Sequence, residues 1–155
     1  MSLVISSLNE TIASKSSSKK NIKVDWSNSP LLPIKNMKNS IGDFGETLYK
    51  NVVGVSATVV KKGHDVYVEG GAKVEVKTAF QNTSGSFFFN QIYANKDWNK
   101  IAFIFVKPNE IQIWECDRNK IDFNVDFIHN NGYAWNKSCF SKLSSAWTMI
   151  YSEVF

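Results

Sequence analysis

The stretch Asp65-Val-Tyr-Val-Glu-Gly-Gly-Ala-Lys-Val-Glu-Val-Lys77 decides how this chain is read. Period-two alternation on either side of Gly70-Gly71 predicts a β-hairpin. A three-residue loop, Glu69-Gly70-Gly71, with a glycine in left-handed backbone, sets Asp65 directly opposite Glu75. Val66, Val68, Val74 and Val76 then make one continuous apolar surface, and Asp65, Glu75 and Lys77 share the other face. A two-residue Gly-Gly loop slips the pairing by one and drops Asp65 among the valines, burying an unpaired charge. The valine pattern therefore favours the register that clusters the charges.

Two carboxylates and an ammonium on one strand face suit metal-assisted hydrolysis. Asp65 and Glu75 offer hard oxygen ligands for Mg²⁺, with Mn²⁺ as a substitute, and Mg²⁺ usually keeps several waters. A metal-bound water is a stronger acid and a better source of a nucleophile. Lys77 points the same way and can orient that water or stabilise charge developing on phosphorus. The alternative is a cross-strand ion-pair ladder on an exposed sheet face, worth little energy. Glu75-Val76-Lys77 is the only acid-x-Lys triplet in the chain. A triplet alone is a common accident; its weight comes from the acid on the partner strand and the polar loop that follows.

Upstream, Ser40 and Asp43 resemble a capping box, and Ile41, Phe44, Leu48 and Val52 follow at helical spacing. Gly54 is a plausible stop, and Glu46 lies off the apolar stripe. Val59-Val60 and 64–69 read as strands, and 72–80 as the hairpin return. Gln81-Asn-Thr-Ser-Gly-Ser86 is a polar loop, expected to be mobile. Phe87 to Lys100 is ambiguous, with a helix expected from about Phe89. Ile101–Val106 reads as a strand buried on both faces. Glu110–Cys116 alternates, as a strand with one wet face does. Residues 141–152 suggest a closing helix through Leu143, Trp147 and Ile150 or Tyr151. The fold class is α/β: a mixed sheet of about five strands flanked by helices. Residues 1–21, rich in Ser and Lys, read as a mobile arm, and 22–155 as a single domain.

Composition limits the alternatives. The 155 residues are 43% hydrophobic and 21% charged, with 5 Trp, 5 Tyr and 11 Phe, enough for one aromatic-rich core and against disorder throughout. No apolar run approaches the ~20 residues that span a bilayer. Met1 to Leu8 lacks a basic n-region, so no signal peptide is expected. Cys116 and Cys139 are too few for a structural zinc site and suit free thiols in a reducing cytoplasm. The net charge of +4 is compatible with a nucleic-acid partner. Arg118 is the only arginine, so arginine forks for guanine are almost lacking.

These residues resemble the PD-(D/E)XK nuclease superfamily, and in particular small type II restriction endonucleases. The family pattern is an acidic helix, a strand with Asp, a hairpin return with (Asp/Glu)-x-Lys, then a helix and a strand. Gly42-Asp-Phe-Gly-Glu-Thr-Leu48 resembles the first helix with Glu46 in its acidic position. Asp65, Glu75 and Lys77 match the strand motif, and Gln91 in Asn90-Gln-Ile-Tyr93 resembles the glutamine of the next helix. The likeness covers about residues 40–116. His64 stands where the family has proline, and Gln91-x-Tyr93 departs from the Gln-x-x-x-Tyr of the RecB-like branch.

The resemblance implies a restriction-endonuclease-like core and a catalytic set of Asp65, Glu75, Lys77, Glu46 and Gln91, with Asp65 and Glu75 holding Mg²⁺. It implies a sequence-specific endonuclease on double-stranded DNA, cutting two strands as a homodimer or higher oligomer. Alternatives on the same fold are a Holliday-junction resolvase, a homing endonuclease or a catalytically silent DNA-binding module. Because the Lys77 strand runs into Thr78, Gln81, Asn82, Thr83, Ser84, Ser86 and Asn90, these side chains are the expected DNA contacts.

Overall fold

The computed structural model describes residues 24–54, 56–60, 63–138 and 140–155. The expected arm, 1–21, lies outside the described residues, as does Cys139. Two one-turn helices, α1 (Leu32–Lys35) and α3 (Phe123–Asp126), bracket a chain whose one long described helix is α2 (Ile41–Val53). The α2 bounds follow the expected ones: Ser40 is the N-cap and Gly54, at φ +96°, the C-cap. The capping box is not formed, because the Ser40 side chain makes no capping hydrogen bond.

Among the described residues, nine strands make two sheets. Strands β1 (Ala57–Val59), β2 (Val66–Val68), β3 (Ala72–Phe80), β5 (Lys100–Lys107), β6 (Glu110–Asp117) and β9 (Thr148–Val154) form a six-stranded sheet in the order β1-β2-β3-β5-β6-β9. Strands β4 (Phe87–Ile92), β7 (Ile128–His129) and β8 (Tyr133–Lys137) form a smaller antiparallel sheet, ordered β4-β8-β7. The large sheet is mixed: β3 and β5 run parallel, and its other pairs are antiparallel. It therefore has six strands where about five were expected.

The α/β class holds, with fewer helices than expected. Phe89 to Lys100 does not form a helix. Phe87-Phe-Phe89 alternates buried, exposed, buried, which is strand period. Phe89 stacks on Phe103 at 4.1 Å and Phe87 meets Phe105 edge-on at 5.0 Å. The crossover between parallel β3 and β5, usually made by a helix, is made here by β4 in the second sheet. The closing helix is also replaced: β9 pairs antiparallel with β6 from Thr148 to Val154. Leu143, Trp147 and Ile150 fall at helical spacing, yet Trp147 anchors against Phe103 at 4.6 Å just before β9 starts.

The large sheet is thus covered on both faces. On one, Tyr49, Phe44 and Leu48 of α2 pack on Val66, Val74, Val76 and Ile104. On the other, Phe87, Phe89 and Trp135 of the small sheet pack on Ile101, Phe103 and Phe105. Gly45 lets α2 approach closely, since a Cβ there would collide with Thr78 Oγ1. Tyr49 donates to Glu115 at 2.9 Å, tying α2 to β6; burial, reinforced by Glu115, raises the phenol well above its ordinary pKa. No helix among the described residues is long and apolar enough to cross a membrane.

Candidate active site

The hairpin takes the register that the valines favour. Val66 pairs with Val74, Tyr67 with Lys73 and Val68 with Ala72. The turn needs both glycines, at φ +103° for Gly70 and +107° for Gly71, conformations strained for residues with a Cβ. Just before this ladder, the Asp65 N–H donates to the Val74 carbonyl at 2.9 Å, which holds Asp65 against the 74–76 stretch of β3. Val74 and Val76 are buried under α2, and Glu75 and Lys77 project from the opposite face.

That face is not the exposed ladder of the alternative reading. The Glu75 side chain is 1% exposed, and its parallel neighbour Ile101 is fully buried. A charge in such a place is costly unless it is compensated. Lys77 Nζ lies 2.8 Å from Glu75 Oε1 with its own side chain 18% exposed. Lys77 thus forms an ion pair on Oε1, and among the described residues no protein group donates to Oε2. Asp65 is half-buried and better held, accepting the Val76 N–H on Oδ2 at 2.8 Å. Burial first, and the Glu75 charge second, push the Asp65 carboxyl above its ordinary pKa; the Val76 N–H, Lys77 and Lys96 oppose that rise.

A group unforeseen in the sequence completes the cluster. Lys96 Nζ stands 3.8 Å from the same Glu75 Oε1. Lys96 belongs to the loop 93–99 that folds back over the acids after β4. Because this segment reads as a helix, nothing in its periodicity marks Lys96.

Most of the other expected site residues come from other elements. Glu46 is half-buried on α2, the helix whose apolar residues pack with Val74 and Val76. Gln91 is exposed on β4 at a bulge, at φ +54°, so it is not presented by a helix. Thr78 points toward α2, its hydroxyl buried and unpartnered. Loop 81–86 begins six residues beyond Glu75, about 20 Å along an extended strand. It is not an open polar tract. Asn82 Oδ1 accepts the N–H groups of Ser84 and Ser86 at 3.1 and 3.0 Å and the Ser84 hydroxyl at 2.6 Å. Asn82 Nδ2 donates to Ser86 Oγ, and Gln81 Nε2 to the Gly85 carbonyl. Trp26 Nε1 caps the Gln81 carbonyl and Val24 N–H the Thr83 carbonyl, so the loop is pinned rather than loose. Thr83 and Asn90 expose their side chains.

Asp65 and Glu75 suit a hard divalent cation. Their carboxylate oxygens are the hard donors that Mg²⁺ or Mn²⁺ takes together with water, and Glu75 Oε1 here meets the ammoniums of Lys77 and Lys96. Among the described residues, no group of three or more His, Cys, Asp or Glu side chains is placed to hold a metal, so water would supply the remaining ligands. Comparison of the chain with protein-family models and with curated proteins finds no match.

Proposed function

We propose that this chain is a Mg²⁺-dependent endonuclease hydrolysing double-stranded DNA, built on a restriction-endonuclease-like core. The observation that carries the reading is a buried carboxylate, Glu75, beside Asp65, with Lys77 Nζ 2.8 Å from its Oε1. Burying such a charged cluster brings little stability, which favours a functional use for it. The order of α2, the β1-β2-β3 meander and parallel β5 matches part of the pattern stated above, with β4 in place of its second helix. When bound, the cation supplies a more acidic water and charge stabilisation at phosphorus. Asp65 and Glu75 hold it, and the Val76 N–H fixes the Asp65 carboxylate in position. Lys77, partly shielded from solvent, orients the attacking water and stabilises charge on the phosphoryl oxygens.

Within this reading, Thr83 and Asn90 are better placed to meet bases than Gln81, Asn82, Ser84 and Ser86, whose polar atoms bond within their loop. One site per chain makes a homodimer the unit that cuts both strands.

The test incubates the protein with plasmid, linear duplex and a four-way junction, each with Mg²⁺ and with excess chelator. Cleavage of duplex at fixed sites with Mg²⁺ alone is expected. Cutting confined to the junction assigns a resolvase, and undiminished cutting in chelator overturns the metal role.

A further inference from the structure

We propose that Lys96 is a second cation of this site: it neutralises Glu75 while no metal is bound, and turns to the scissile phosphate when a divalent cation takes its place. The inference rests on the nuclease reading and deepens it.

Charge arithmetic comes first. Asp65 and Glu75 face Lys77 and Lys96, two negative charges against two positive, so the cluster is balanced without metal. A divalent cation between the acids puts two further positive charges beside both ammoniums, and one must withdraw. Lys77 is 18% exposed and comes from the rigid middle of β3; Lys96 is 42% exposed and comes from a loop. Lys96 is therefore the one with a way out. An ammonium displaced toward solvent from a metal site is well placed to meet the anionic DNA backbone.

The loop is built to hold this lysine. Arg118 donates to the carbonyls of Lys96 at 2.8 Å, of Trp98 at 3.0 Å and of Ala94. Its guanidinium lies over the Trp98 ring, 4.4 Å from the centroid. Trp98 Nε1 closes the loop onto the Tyr93 carbonyl at 2.9 Å. Asn99 ties its far end to the hairpin, accepting from Lys73 N–H at 2.8 Å and donating to the Gly71 carbonyl at 2.9 Å. The chain's only arginine thus serves to fix backbone, leaving the Lys96 side chain reaching past the Tyr93 ring to Glu75. Arg118 is a positioning residue; Lys96 is the group that meets Glu75 and would meet the phosphate.

The experiment titrates Mn²⁺ into the protein without DNA and measures single-turnover cleavage at saturating Mg²⁺, for the native chain, Lys96→Ala, and Arg118→Lys alone and combined with Lys96→Ala. Removing the competing ammonium should tighten Mn²⁺ binding about tenfold and slow cleavage about 10²-fold. Arg118→Lys keeps the charge but loses the fork; it should move both quantities the same way alone and add nothing once Lys96 is gone. A native chain that binds Mn²⁺ and cuts, beside a Lys96→Ala variant with unchanged Mn²⁺ affinity or a native cleavage rate, overturns the role of Lys96 alone. A native chain that takes up no Mn²⁺ overturns the nuclease reading, and this role with it.

Discussion

Two polar clusters involve β3, one at its middle and one in the loop beyond its C-terminal end, and both attract attention in the sequence. In the loop 81–86, Asn82 accepts three hydrogen bonds on one oxygen, and Gln81, Ser84 and Ser86 are engaged within the same turn. At Asp65–Glu75 the polar groups are more deeply buried and less well satisfied: lysine ammoniums meet Glu75 Oε1, and among the described residues no protein group donates to Oε2. The contrast separates two uses of polarity. Satisfied groups at the surface build a turn. Unsatisfied groups in the interior cost stability and so mark a place where something else is meant to bind.

The largest expected effect is on the unsatisfied cluster. Glu75→Gln and Asp65→Asn should each lower cleavage by more than about 10³-fold. The melting temperature of Glu75→Gln should fall, because Lys77 and Lys96 lose the carboxylate they pair with. A fall in melting temperature together with retained cutting would turn Glu75 into an ordinary ion-pair residue. Next, Lys77→Ala should slow single-turnover cleavage by ~10²–10³-fold while DNA binding, read by mobility shift, persists. Native turnover in that variant would remove Lys77 from the chemistry.

The satisfied cluster should behave the other way. Asn82→Ala removes the acceptor of three hydrogen bonds and should cost about 1–3 kcal/mol, seen by calorimetry as a lower melting temperature, with cleavage sites unchanged. Altered cleavage fidelity at native stability would make Asn82 a reader of DNA. The smallest effect concerns pH. The folded Asp65 carboxyl is pushed above its unfolded value by burial and by Glu75. Its contribution to the stability of the metal-free protein is therefore full below about pH 4 and is lost as pH rises through the raised folded value. Asp65→Asn should flatten that part of the profile in urea unfolding; an unchanged slope would contradict the burial argument.

The hairpin register was legible because four valines on a period of two admit only one pairing that keeps Asp65 out of the apolar face. The α2 helix was legible from Ile41, Phe44, Leu48 and Val52 for the same reason of periodicity. Strand β4 was not: Phe87-Phe-Phe89 is apolar without a break, and which rings turn inward is settled by Phe103 and Phe105 from another part of the chain. Leu143, Trp147 and Ile150 fit a helical spacing as well as a turn followed by a strand, and pairing with β6 decides for the strand. Lys96 was hidden because its neighbour Glu75 is 21 residues away in sequence and meets it only through the Arg118-pinned loop. Asp65, Glu75 and Lys77 could be read from one hairpin; the group that covers them could not.

Uptake of Mn²⁺ tests the central claim most directly, because it needs no knowledge of the DNA sequence recognised. Titration followed by the loss of the free-ion electron paramagnetic resonance signal should show one ion bound per native chain and none at the same concentrations in Glu75→Gln. Equal uptake by the two proteins, or none by the native chain, would contradict the account of Asp65 and Glu75 as a cation site.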